Sequence, residues 1–129
     1  MKSLCIEGWR NLNHSYSIVN QWQLLQLVKS NINLFHKDIK PFRDYWNEKR
    51  NFAGFKPDQI QIINKIPFPE KNKRFDVVYR ISYPLDISES NSERLFVFGT
   101  SEYGSTKDLF RGASLKEACL RENLKIITP

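Results

Sequence analysis

The run Leu95-Phe96-Val97-Phe98-Gly99 offers water no polar face, and this limits the possible folds more than any other feature of the chain. A strand that is apolar on both sides must be covered on both sides, which is the situation of strands in parallel sheets. The opening Ser3-Leu4-Cys5-Ile6, stopped by Glu7 and Gly8, reads as a second strand, and Phe75-Asp76-Val77-Val78-Tyr79-Arg80-Ile81 as another. Asn31 to His36, Gln59-Ile60-Gln61-Ile62-Ile63 and Leu124 to Thr128 supply three more candidates, with Pro67 and Pro69 ending the run over 59–63. Helical patterns lie between them. Ile18, Trp22, Leu25 and Val28 share a helical face in a segment capped by Asn13 or Ser15 and running to Lys29. A short helix is expected over Phe42–Asn47 behind Pro41, and another over Ser114–Glu122, opened by a Ser114/Glu117 capping box. The alternation points to an α/β fold: a doubly wound, mainly parallel sheet of about six strands with flanking helices.

With 129 residues the chain reads as one domain, 1–129, and its 40% hydrophobic, 13% aromatic and 26% charged residues exclude a disordered tail, a collagen or a disulfide scaffold. The longest uncharged stretch, Ser15 to Val28, is interrupted by Asn20, Gln21, Gln23 and Gln26, and falls short of a membrane span. Because that helix carries no charge before Lys29, both of its faces are expected to be covered. Glu7 and Gly8 cut off the apolar start before a signal-peptide core forms. Cys5 and Cys119 have no metal-type spacing and read as two buried thiols in a reducing compartment, so a cytoplasmic protein is expected.

The net charge of +6 is uneven: residues 40–74 hold nine basic and four acidic side chains. A basic region of this kind attracts phosphates or an anionic membrane surface, or is simply a solvated loop region. Nucleic acid is disfavoured, because the basic residues do not interleave with aromatics as in known RNA-binding sheets, and Phe42, Tyr45, Trp46, Phe52 and Phe55 read as local packing.

Three clusters fall at the carboxyl ends of strands, where open parallel sheets bind ligands. Glu7 to Ser15 is a strand-to-helix loop whose amides and helix dipole suit an anion, although it lacks both a Walker motif and Gly-x-Gly-x-x-Gly. Arg80 sits near a strand end and needs either a ligand or a partner among Asp76, Asp86 and Glu102. Glu102, in Thr100-Ser101-Glu102-Tyr103-Gly104, suits a base, an acceptor for sugar hydroxyls, or a turn cap. His14 is either a capping residue or part of a site; no hydrolase triad can be assembled around it. With His36 the only other histidine, a His-rich zinc site is excluded.

Several motifs in order resemble a known family: Glu7-Gly8-Trp9-Arg10, His14-Ser15-Tyr16, Val19-Asn20-Gln21, Asp76 to Ile81 with Pro84, Val97-Phe98-x-Thr100-x-Glu102 and Ile126-Ile127-Thr128-Pro129. Together they resemble the amino-terminal, Rossmann-like half of GT-B glycosyltransferases of the retaining, nucleotide-sugar-dependent group. The resemblance implies a domain that shapes the sugar-acceptor side of a cleft, with Gly8, Arg10, His14, Ser15, Arg80, Thr100 and Glu102 as its cleft residues and Asn20 as a structural one. It implies a nucleotide-sugar co-substrate held by a carboxyl-terminal domain or a separate chain, and no metal or other cofactor. That donor part lies outside these 129 residues, so little or no transferase activity, and low solubility or dependence on a partner, are expected of the chain by itself. The catalytic group stays unassigned. The alternative is a small non-enzymatic interaction module that uses the basic 40–74 region and the uncharged helix 15–28 to dock a partner, with peripheral membrane contact included.

Overall fold

In the computed structural model, which describes residues 1–41, 43, 54–100 and 109–128, five parallel strands form one sheet. They are β1 (Ser3–Gly8), β2 (Asn33–Asp38), β3 (Phe75–Ile81), β5 (Ser92–Phe98) and β7 (Leu124–Ile127), in the order β2-β1-β3-β5-β7. Two short strands, β4 (Leu85–Asp86) and β6 (Phe110–Arg111), make a separate parallel pair. The helices are α1 (Ser15–Leu27), α2 (Pro57–Lys65) and α3 (Leu115–Cys119).

Both faces of the sheet are buried at its centre, as the doubly apolar strands require. On one face Ile6, Leu34 and Ile81 pack with Leu24 and Leu25 of α1 and Ile63 of α2. On the other, Cys5, Val78, Leu95 and Val97 pack with Leu85, Ile87, Leu109 and Ala118. Since β2 and β3 flank β1 on opposite sides, the carboxyl ends of β1 and β3 border a switch point, the usual place for a ligand crevice.

Three expectations are corrected. The segment Gln59–Ile63 is not a strand but the body of α2, so the sheet has five strands rather than six among the described residues. Pro57 at the helix start, Asp58 in the first turn and Gln59 accepting the Lys56 N–H at 2.8 Å set a helical start, and Ile60 and Ile63 then pack on the core. Second, α1 is rotated from its apolar reading. It buries Tyr16, Ser17, Asn20, Gln21, Leu24 and Leu25, and leaves Val19 38%, Trp22 44% and Val28 38% exposed, so one face is open. The buried polar side chains face inward because they satisfy the loop that precedes them. Third, Cys119 is exposed and only Cys5 is buried. The short helix expected over Phe42–Asn47 falls, Arg43 apart, outside the described residues.

Burial, with the nearby Glu7 charge, pushes the Cys5 thiol up to about 12, whereas Cys119 meets solvent. Native protein at neutral pH should therefore expose one fast thiol to Ellman's reagent and release the second only on unfolding. Two fast thiols in the folded protein would contradict this placement of Cys5.

Candidate functional site

At Gly8 the chain passes so close to β3 that a Cβ would lie 2.9 Å from the Ile81 carbonyl oxygen, so glycine permits the contact between strand ends. Trp9 follows, almost fully buried, its indole N–H donating to the Lys40 carbonyl at 3.3 Å. Asn11, with φ 63°, turns the chain toward α1. Its N–H donates to Gln21 Oε1 (3.1 Å), and the Leu12 N–H donates to Ser17 Oγ (3.2 Å). His14, rather than Asn13 or Ser15, is the cap of α1, its Nδ1 accepting the Tyr16 N–H at 3.2 Å. The amides of Asn11, Leu12 and Tyr16 are thus bound within the loop and do not form an anion cradle.

Arg10 is 7% exposed and serves the fold. Its Nε and Nη2 donate to the two Asp38 oxygens at 2.8 and 3.0 Å, and Nη1 donates to the Ile63 carbonyl at 2.9 Å, fastening the loop to β2 and α2. Behind it lies His36, with no exposed surface. Asn20 Nδ2 donates to the Trp9 carbonyl and to His36 Nε2, both at 2.9 Å. An amide nitrogen only donates, so Nε2 is the acceptor and the ring proton is assigned to Nδ1, which lies 2.9 Å from Asp38 Oδ1. Burial by itself would raise the Asp38 carboxyl, but hydrogen bonds from His36 and Arg10 and the Arg10 charge outweigh it and hold Asp38 at about 2.

Arg80 points to the opposite face of the sheet from α1. Its Nε donates to Glu7 Oε2 at 2.6 Å, and its other nitrogens donate to the carbonyls of Asp86 (3.1 Å), Ser88 (2.6 Å) and Glu89 (3.2 Å). Of the partners expected from sequence, Asp86 stands 3.5 Å away as an ion pair, while Asp76 accepts instead from Ser3 at 2.7 and 2.9 Å. Glu7 was missed because only the β1/β3 register places it beside Arg80. Glu102 lies outside the described residues.

The residues the fold does bring together surround Tyr16. Its hydroxyl accepts the Thr100 N–H at 2.9 Å and shares a second bond with Thr100 Oγ1 at 3.1 Å, tying the end of β5 to the start of α1. The His14 ring stands edge-on to Trp9 (centroids 5.2 Å apart) and to Tyr16 (5.6 Å). His14 is half-buried, and Ser15 and Thr100 are exposed. His14, Ser15 and Thr100 therefore present imidazole and hydroxyl groups at the surface above the buried Trp9 and Tyr16 rings. Tyr16 and Trp9 stood inside the sequence motifs but were not singled out; an aromatic two residues past a cap is the signal that could have found Tyr16. Among the described residues no group of three or more His, Cys, Asp or Glu side chains is placed to hold a metal, and no helix is long and apolar enough to cross a membrane.

Burial lowers the pKa of His14, and burial outweighs the Asp38 hydrogen bond to lower that of His36. Both imidazoles start from 6.5, so the folded protein binds fewer protons than the unfolded chain just below that pH. Their contribution to stability is complete above pH 6.5 and is lost as the pH falls below it. Thermal melts should show Tm falling between about pH 7 and pH 5, with a shallower fall in His14→Ser, which keeps a capping oxygen but does not titrate. A Tm that rises on acidification through this window would contradict the assignment.

Comparison of the chain with known protein families, with characterised proteins and with solved structures finds no match.

Proposed function

We propose that the surface at the carboxyl ends of β1, β3 and β5 binds a neutral, polyhydroxylated ligand, and that the chain is the acceptor-side, Rossmann-like half of a retaining glycosyltransferase. The single observation that carries this reading is that, among the described residues, hydroxyl and imidazole groups rather than unpaired charges stand at the switch point. Arg10 and Arg80 are both consumed by the fold, and the loop amides are bound, while Ser15, Thr100 and His14 stand at the rim. Hydroxyls both donate and accept, as sugar hydroxyls do. The resemblance of the motifs to the acceptor half of GT-B enzymes agrees with this chemistry. The nucleotide-sugar is a co-substrate held by a second domain or a separate chain, because transfer requires stabilisation of the leaving diphosphate and the two arginines assigned to this cleft are turned away from it.

Oligosaccharide titration followed by tryptophan fluorescence tests the reading. Saturable binding that weakens roughly tenfold in Thr100→Val, with no release of sugar from a nucleotide-sugar by the chain alone, is expected. Saturable nucleoside-diphosphate binding without any saccharide response would overturn it.

The open face of α1 favours a second reading, a non-enzymatic docking module. Trp22 is 44% exposed over the buried Phe55 ring, 4.7 Å away, on a helix without a charged residue between Ser15 and Leu27. Under this reading Trp22→Lys abolishes partner binding; under the first it leaves saccharide binding intact.

A further inference from the structure

The two faces of the sheet are covered unequally at β5 and β7. On the face away from α1, Leu95 and Val97 are buried under Leu85, Ile87 and Ala118. On the α1 face β5 presents Arg94, Phe96 and Phe98, the last with its ring 6.2 Å from that of Tyr16. Beside them β7 presents Lys125 and Ile127, which pair with Phe96 and Phe98. None of these five is fully buried. Phe96 and Phe98 are partly covered, Arg94 and Lys125 are exposed, and Ile127 is 41% exposed.

Chain topology accounts for the difference. The step from β1 to β2 runs one way along the sheet, and its right-handed connection places α1 on this face. The steps from β3 to β5 and from β5 to β7 run the other way, so their right-handed connections belong to the opposite face, where β4, β6 and α3 pack. Among the described residues no helix therefore lies beside α1 over β5 and β7, although parallel sheets are closed by helices on both faces. The flank of α1 that borders this strip is apolar too. Gln23 marks it by donating to the Tyr79 hydroxyl at 3.3 Å, and Val19, one turn earlier, is 38% exposed. Trp22 leans elsewhere, onto the Phe55 ring.

Charge selects the occupant. The residues that β5 and β7 turn to this face include two basic side chains, Arg94 and Lys125, and no acidic one, and α1 has no charge between Ser15 and Leu27. A second copy of a chain with net charge +6 would set like charges together, whereas an acidic partner complements them.

We infer that this strip is the docking site for an amphipathic, acidic helix of another chain. Its apolar stripe lies on Val19, Phe96 and Ile127, and its carboxylates reach Arg94 and Lys125. The site uses a different flank of α1 from Trp22 and needs no sugar at His14.

The probe is a fluorescein-labelled peptide of about 18 residues, long enough to span the sheet as a helix, with leucines at helical spacing and glutamates elsewhere. One control replaces every glutamate by lysine, and another scrambles the same composition so that the leucines lose their period. By anisotropy the acidic peptide should bind saturably and about tenfold tighter than either control, and it should shift the amides of Val19, Phe96 and Ile127. Ile127→Glu should weaken it about tenfold. Arg94→Glu/Lys125→Glu, which alters exposed side chains, should reverse the preference so that the lysine peptide binds the tighter, with Tm nearly unchanged. Equal binding of the three peptides, an unchanged preference in the charge-reversed protein, shifts centred on Trp22 and Phe55, or no saturable binding of the acidic peptide would each overturn the inference. Self-association of the protein that Ile127→Glu abolishes would also overturn it, in favour of a second copy.

Discussion

Arg80→Met should destabilise the protein by about 4 kcal/mol, a large share of the roughly 5–15 kcal/mol that holds a domain folded. The guanidinium is 5% exposed and carries four hydrogen bonds to Glu7 and to the carbonyls of Asp86, Ser88 and Glu89. Removing it leaves the Glu7 carboxylate, whose side chain is only 15% exposed, facing the exposed Lys37 ammonium at 3.5 Å, and unties residues 86–89 from β3. Most of the cost comes from the weakly compensated charge, so the double variant Glu7→Gln/Arg80→Met should recover part of it. Urea unfolding followed by circular dichroism measures both. A single variant within about 1 kcal/mol of the parent would show that Arg80 is not a structural clamp.

Arg10→Met should cost about 3 kcal/mol, which for a chain of this size lowers Tm by on the order of 10 °C. The loss is smaller than at Arg80 because the Asp38 side chain is 43% exposed, and water relieves the carboxylate that remains. It is still large, because the Ile63 carbonyl and both Asp38 oxygens lose donors together and His36 loses the ordering of its neighbour. Arg10→Lys should rescue little, since one ammonium cannot reproduce the two parallel bonds to Asp38 and also reach α2. Calorimetric melts of the three proteins decide it; a lysine variant as stable as the parent would contradict the fork geometry.

The strands with apolar character on both faces were legible in the sequence, because burial on both sides leaves a composition that few other structures tolerate. Ser3–Gly8, Phe75–Ile81 and Ser92–Phe98 all pair side by side in the sheet. The lack of charge on α1 pointed to its polar burial but not to the partners. Ser17, Asn20 and Gln21 are fully buried because they terminate the hydrogen bonds of the Trp9–Leu12 backbone, which no helical wheel shows. Isoleucines at 60, 62 and 63 alternate like a strand, and only Pro57 and the Lys56–Gln59 bond mark the helix that contains them. The family resemblance made both arginines cleft residues, and the strand-end position of Arg80 left a ligand and a structural partner equally open. Their partners come from register and from distant carbonyls, which no local pattern encodes. The motif Thr100, by contrast, does reach the α1 start, through Tyr16.

The surface at the switch point is made either for hydroxyls or for phosphates. Amide chemical-shift mapping with a panel of gluco-, galacto- and manno-oligosaccharides, set against uridine diphosphate on the same protein, decides between them. At least one saccharide is predicted to shift His14, Ser15 and Thr100 saturably while the diphosphate leaves those three amides in place. Diphosphate shifts at His14 and Thr100, with none from any saccharide in the panel, would contradict it.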